Sequence, residues 1–89
     1  MQAEFSALLE ARDAGRNIFR AWRIEAGRDL FGAWLVQTRF GRIACEGRLI
    51  TRSFADEAAA RAHIAAGLRR RATAPRRIGV AYQRRDNAT

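Results

Sequence analysis

The sequence predicts an α+β domain: an antiparallel sheet of four or five strands with one main helix packed across it, plus a short N-terminal helix. Three observations carry this. Runs rich in β-branched and aromatic residues, Ile18 to Glu25, Phe31 to Phe40 and Leu49 to Phe54, are separated by glycine-bearing turns. One alanine-rich stretch, Asp56 to Arg71, repeats apolar residues at helical spacing. The chain has 89 residues, enough for one core and too few for two. Residues 1–17 read as an N-terminal helical extension, 18–83 as the folded domain and 84–89 as a flexible tail.

In the extension, Phe5, Leu8 and Leu9 fall at helical spacing with Glu4, Glu10 and Arg12 elsewhere, which predicts a helix over residues 3–12. Asp13-Ala14-Gly15 stops it. Its apolar stripe needs a cover, either the sheet or a second copy of the chain. In the first strand Ile18, Trp22 and Ile24 share a face with Arg20, and Trp22 belongs to the core. Gly27-Arg28-Asp29 makes the next turn. In the second strand Trp34, Val36, Thr38 and Phe40 point one way while Leu35, Gln37 and Arg39 point the other. That alternation puts Phe40 on the core side and Arg39 outside. After the third strand, Ser53 to Asp56 offer acceptors for capping a helix. Ala60, Ile64, Gly67 and Leu68 form its inward stripe, Glu57 and Arg61 are spaced as an i,i+4 pair, and Arg69-Arg70-Arg71 complements the dipole at its end. Ala74-Pro75 breaks the helix. Ile78 to Gln83 then returns as a final strand, with Tyr82 inside or at the rim of the core.

All seventeen basic residues are arginine and the net charge is +8. The charge is segregated. Residues 1–29 carry five arginines and five acids, 39–52 carry four arginines against Glu46, and 69–85 carry seven arginines and no acid. An excess concentrated in two segments points to a polyanionic partner. Guanidiniums suit phosphate well, because their forked donors bind it bidentately and their planes stack on aromatic rings. No apolar run approaches the roughly 20 residues of a membrane span, and the N-terminus lacks the pattern of a secretory signal. The single cysteine, Cys45, cannot form an internal disulfide, which suits a reducing cytoplasm. Its simplest role is as a small half-buried residue.

Catalytic chemistry finds few residues. No Ser-His-Asp set, carboxylate pair, zinc spacing or phosphate loop is present. His63, the sole histidine, has no cysteine or carboxylate at ligand spacing and reads as a surface or boundary residue. Neither a cofactor nor a metal is expected. Attention falls instead on Thr38 to Arg48, where Phe40, Gly41 and Arg42 sit at a strand corner between Arg39 and Arg48. Gly41 and Gly47 permit backbone conformations closed to other residues and let a partner approach the main chain. The alternative is an ordinary hairpin corner with Phe40 in the core.

The order Phe31-Gly32-Ala33-Trp34, then Phe40-Gly41-Arg42-Ile43, then a second glycine, an alanine-rich helix and a terminal Gly79-x-x-Tyr82 resembles a WGR domain. That family occurs in poly(ADP-ribose) polymerases and in small stand-alone bacterial proteins. The likeness runs from about Ile18 to Tyr82. Phe40 stands where the family usually has tryptophan, Ala44 replaces a glycine, and Arg48 replaces a frequent glutamine. The resemblance implies non-catalytic binding of DNA near a strand break. It gives Phe40 the role of the aromatic that packs on a terminal sugar, and Arg42 that of the arginine contacting DNA or a neighbouring domain. Charge placement adds Arg39, Arg48, Arg76 and Arg77 to the nucleic-acid-binding set. The competing reading is a protein-interaction module in which Arg42 docks an acidic partner.

Overall fold

The computed structural model describes residues 2–85. Most of the stretch expected as a tail, residues 86–89, lies outside the described residues. In chain order come β1 (Phe5–Asp13), a 3₁₀ turn (Ala14–Arg16), β2 (Ile18–Arg28), β3 (Trp34–Arg42), β4 (Arg48–Phe54), α1 (Glu57–Ala72), α2 (Ala74–Ile78) and β5 (Gln83–Arg84). The strands form one five-stranded sheet ordered β4-β3-β2-β1-β5, with antiparallel pairing throughout. The α+β class and the single main helix are therefore as the sequence predicts.

The N-terminal helix is not. Residues 5–13 form a strand that pairs along its whole length with β2, from Phe5 opposite Ala26 to Asp13 opposite Ile18. Phe5, Leu8 and Leu9 satisfy helical spacing, but Ala7 and Ala11 are the buried residues, at 2% and 0% exposure. Alanine on the core face gives almost no hydropathic alternation, so the period of two is hidden. A ten-residue helix has little stability of its own, whereas the strand gains a full ladder on β2.

α1 lies across one face of the sheet. Ala60 and Ile64 join Ala7, Trp22, Ile24, Ala26 and Val36 in the buried core, with Phe5, Leu9, Trp34, Phe40, Phe54, Leu68 and Tyr82 packed around it. Gly67 lets the helix settle on Trp22, since a Cβ there would come 2.8 Å from the indole. The helix begins at Asp56, whose carboxylate accepts from the Ala59 N–H at 2.8 Å, and the Glu57–Arg61 pair forms at 2.9 Å. It ends at Thr73, where Ala74-Pro75 breaks it as expected. The final strand differs from expectation. Pro75 opens the second helix, because its missing N–H is no loss in a first turn. Gly79, at φ 80°, ends that helix. Only Gln83 and Arg84 then pair with β1, opposite Glu10 and Leu9.

The turn after β2 also lies further along than Gly27-Arg28-Asp29, which β2 and its pairing occupy up to Arg28. Asp29 organises it: its Oδ1 accepts from the N–H of Phe31 at 2.8 Å and of Ala33 at 2.9 Å. At the β1–β2 turn Arg16 donates to Asp13 Oδ2 at 2.7 Å and to the Gly79 carbonyl at 2.8 Å, tying this corner to the end of α2. That guanidinium holds the Asp13 carboxyl below its ordinary value.

Between β3 and β4 the chain crosses itself closely at Gly41 and Gly47, where a Cβ on Gly41 would lie 2.9 Å from the Gly47 Cα. Within this loop Ala44 has φ 68°, in the left-handed region. Ala44→Gly is expected to stabilise the protein by about 1 kcal/mol, because relief of the roughly 1–2 kcal/mol left-handed penalty exceeds the added chain entropy of glycine. A rise in the urea midpoint at unchanged slope measures it; an unchanged or lower midpoint would contradict the strain.

Candidate nucleic-acid interface

The cleft of interest opens where β2 begins, β3 ends and the two helices meet. Residues distant in sequence converge there. The long strands bring Arg20 opposite Arg42, the last turn of α1 supplies Arg70 and Arg71, and α2 supplies Arg77. Together with Asn17, Phe19, Phe40, Gly41 and Tyr82 they line a cleft of about 510 Å³. Five guanidiniums and no carboxylate are among the lining residues.

Each arginine is held differently. Arg42 places its guanidinium 4.9 Å from the centre of the Phe19 ring and donates to Asn17 Oδ1 at 3.0 Å. Asn17 itself has φ 55°, a conformation asparagine tolerates better than most residues. Arg77 donates to the Arg70 carbonyl at 2.7 Å and to Thr73 Oγ1 at 3.1 Å, satisfying the exposed end of α1. Arg71 is the most enclosed. Its guanidinium lies 4.9 Å from the Trp22 ring and 5.8 Å from the Tyr82 ring. Its Nε is buried and has no hydrogen-bond partner among the described residues. Burial lowers its pKa, and the charges of Arg70 and Arg77 push the same way against the favourable effect of Tyr82. An arginine so shifted still carries its charge at neutral pH.

None of the residues in the described ion pairs lines the cleft. They join Arg12 and Arg85 to Glu10, Arg16 to Asp13, Arg28 to Glu4 and Arg61 to Glu57. Cancellation is thus concentrated on β1, its turn and the start of α1, and the five cleft arginines have no such carboxylate partner among the described residues. In a site partly shielded from water, uncompensated charge of one sign attracts anions more strongly than the same charge spread over an open surface.

Of the residues singled out by sequence, Phe40, Gly41, Arg42 and Arg77 line this one cleft. Phe40 is half-buried on the helix side, opposite Trp22. Arg48 pairs across from Phe40 on β4 but is not among the lining residues. Arg39 borders a separate depression, where it donates to the Glu46 carbonyl at 3.0 Å. Arg76 is exposed on α2, beside the cleft residue Arg77. The close approach permitted by Gly41 and Gly47 is taken up by the chain itself. Cys45 is exposed rather than half-buried, and His63 packs on Phe54 with ring centres 5.2 Å apart. Arg20, Arg70, Arg71 and Tyr82 lie outside the set the sequence predicts; the β2–β3 register brings Arg20 to Arg42, and the end of α1 and the segment after α2 bring the others. No helix among the described residues is long and apolar enough to cross a membrane.

The model of the WGR domain family matches residues 5–74. No curated protein and no solved structure matches the chain. The family match starts at Phe5 and so takes in β1 to β4 and α1, and on that extent the protein belongs to the WGR domain family.

Proposed function

We propose that the protein is a non-catalytic nucleic-acid-binding module that takes DNA at the arginine cleft, with a preference for strand ends. The observation that carries this reading is the cluster of Arg20, Arg42, Arg70, Arg71 and Arg77 around one cleft without a lining carboxylate. Membership of a family whose domain contacts DNA in poly(ADP-ribose) polymerases supports it. Phosphate contacts dominate, and base readout is weak because the cleft offers guanidiniums rather than a helix of base-reading side chains. Phe40 covers a terminal sugar where the duplex stops, and Arg42 reaches the adjacent phosphate. Arg39, Arg48 and Arg76 flank this track as secondary contacts.

Fluorescence anisotropy on blunt, nicked and single-stranded oligonucleotides across a salt series tests the reading. With about four phosphates neutralised, log K should fall against log salt with a slope near −3 to −4, at roughly −0.9 per contact. Arg42→Ala should weaken binding to every DNA by about 1–3 kcal/mol, as for a charge-assisted hydrogen bond. Phe40→Ala, once shown folded by circular dichroism, should lose the preference for ends and keep duplex binding. Binding that ignores salt would reject the nucleic-acid reading in favour of docking an acidic protein.

A further inference from the structure

The pole opposite the arginine cleft carries two features that fit each other. The first is the β2–β3 turn, where Leu30 and Phe31 stand side by side at 99% and 94% exposure. One exposed leucine needs no explanation. Here, though, the turn is closed by hydrogen bonds: besides the two accepted by Asp29 Oδ1, the Asp29 N–H donates to the Ala33 carbonyl at 2.9 Å and the Gly32 N–H to the Asp29 carbonyl at 3.2 Å. The two apolar side chains are thus presented on a preorganised tip, the arrangement that limits the entropy lost on association. The second feature is a groove of about 470 Å³ between β1 and α1, lined chiefly by Phe5, Ala26, Trp34, Ala60, Ile64 and Leu68. Its size falls within the roughly 300–1,000 Å³ typical of pockets that receive a compact ligand.

Tip and groove adjoin, because Trp34 of the groove follows the turn directly. We infer that the protein forms a two-fold dimer through this pole, with Leu30 and Phe31 of each copy seated in the groove of the other. A second copy is the occupant that supplies both halves at once: an axis passing near Trp34 makes the same contact twice and closes the assembly. The rim is self-complementary in charge. Glu4 and Glu57 stand at the groove, and each is already near a guanidinium, Arg28 at 3.7 Å and Arg61 at 2.9 Å. The rim is therefore balanced in charge and can meet its own copy without repulsion. The opposite pole, with its five cleft arginines, would repel its own copy. β2 separates the poles by about 36 Å, eleven residues at about 3.3 Å each, so pairing leaves both arginine clefts outside the interface. Each tip contributes about 150–250 Å² from Phe31, and Leu30 adds to it. Because Ala26, Ala60 and Ile64 of the groove are already buried, the total stays near or below the roughly 1,200 Å² of the smallest stable interfaces, so the dimer is weak and reversible.

Sedimentation equilibrium of the full chain over a wide range of loading concentrations tests this. The expected mass rises from that of one chain, 10.0 kDa, to twice that value and stops. The double variant Leu30→Ser, Phe31→Ser should weaken association at least tenfold with unchanged circular dichroism, and with unchanged melting at concentrations where the parent is a single chain, since both side chains are exposed in the single copy. Ala65→Arg, which places a charge in the groove from the other side of the contact, should do the same. A chain that remains single at every concentration overturns the inference. So does a dimer that survives the tip substitutions, or a mass that climbs past two copies, which would mean head-to-tail association.

Discussion

Trp22→Ala should lower the free energy of unfolding by about 3–5 kcal/mol, the range for emptied aromatic core positions. The indole is 3% exposed and holds three parts of the structure at once. α1 rests on it at Gly67, Phe40 pairs with it across the β2–β3 ladder, and the Arg71 guanidinium lies over its ring. Truncation removes the apolar contacts and also leaves the enclosed Arg71 with only Tyr82 as an aromatic neighbour. For a chain of this size total stability is about 4–13 kcal/mol, at roughly 0.05–0.15 kcal/mol per residue. The variant is therefore expected to be marginally folded at best. Urea denaturation measures it, and a loss below about 1 kcal/mol, the centre of the range for ordinary substitutions, would contradict the placement of the core under α1.

Gly47→Ala is expected to cost about 2–5 kcal/mol, a left-handed penalty of roughly 1–2 kcal/mol plus overpacking of about 1–3 kcal/mol. Gly47 has φ 69°, and a Cβ there would run into the Phe40 carbonyl. Backbone meets backbone at this point, so no side-chain rotation relieves the clash. Gly32→Ala serves as the control: at φ 85° it is strained too, but its Cβ would meet nothing within 4 Å. It should cost only the left-handed penalty. Equal melting temperatures for the two variants would show that the Gly41–Gly47 approach does not govern the corner. If Gly47→Ala is the more damaging, the glycines of the central stretch serve the loop itself, which carries Phe40 and Arg42 to the cleft.

What the sequence determined by itself is local. The alternation in Phe31 to Phe40, the β-branched and aromatic runs on either side, and the helical spacing after Asp56 identify β2, β3, β4 and α1, because each element's own residues carry its period. The cap, the Glu57–Arg61 pair and the placement of Trp22 and Phe40 on the core side follow from the same short-range rules. β1 was hidden because Ala7 and Ala11 occupy its buried face, and only the partner strand distinguishes that pattern from a helix. α2 was hidden because Pro75 is both a helix breaker and a favoured first-turn residue, a choice that Thr73 and the packing of Ala74, fully buried, resolve.

The cleft belongs to tertiary structure. Charge counted along the chain marks residues 39–52 and 69–85 as basic and residues 1–29 as neutral, and so passes over Arg20. In space Glu4, Glu10 and Asp13 of that first segment pair with other arginines, while Arg20 faces Arg42 across the ladder and lines one cleft with the cations brought by α1 and α2. Linear charge balance averages over neighbours in sequence, but electrostatic attraction acts between neighbours in space. The excess of positive charge could thus be read from composition, whereas the gathering of Arg20, Arg42, Arg70, Arg71 and Arg77 around one opening required the register of the sheet and the turn between the helices.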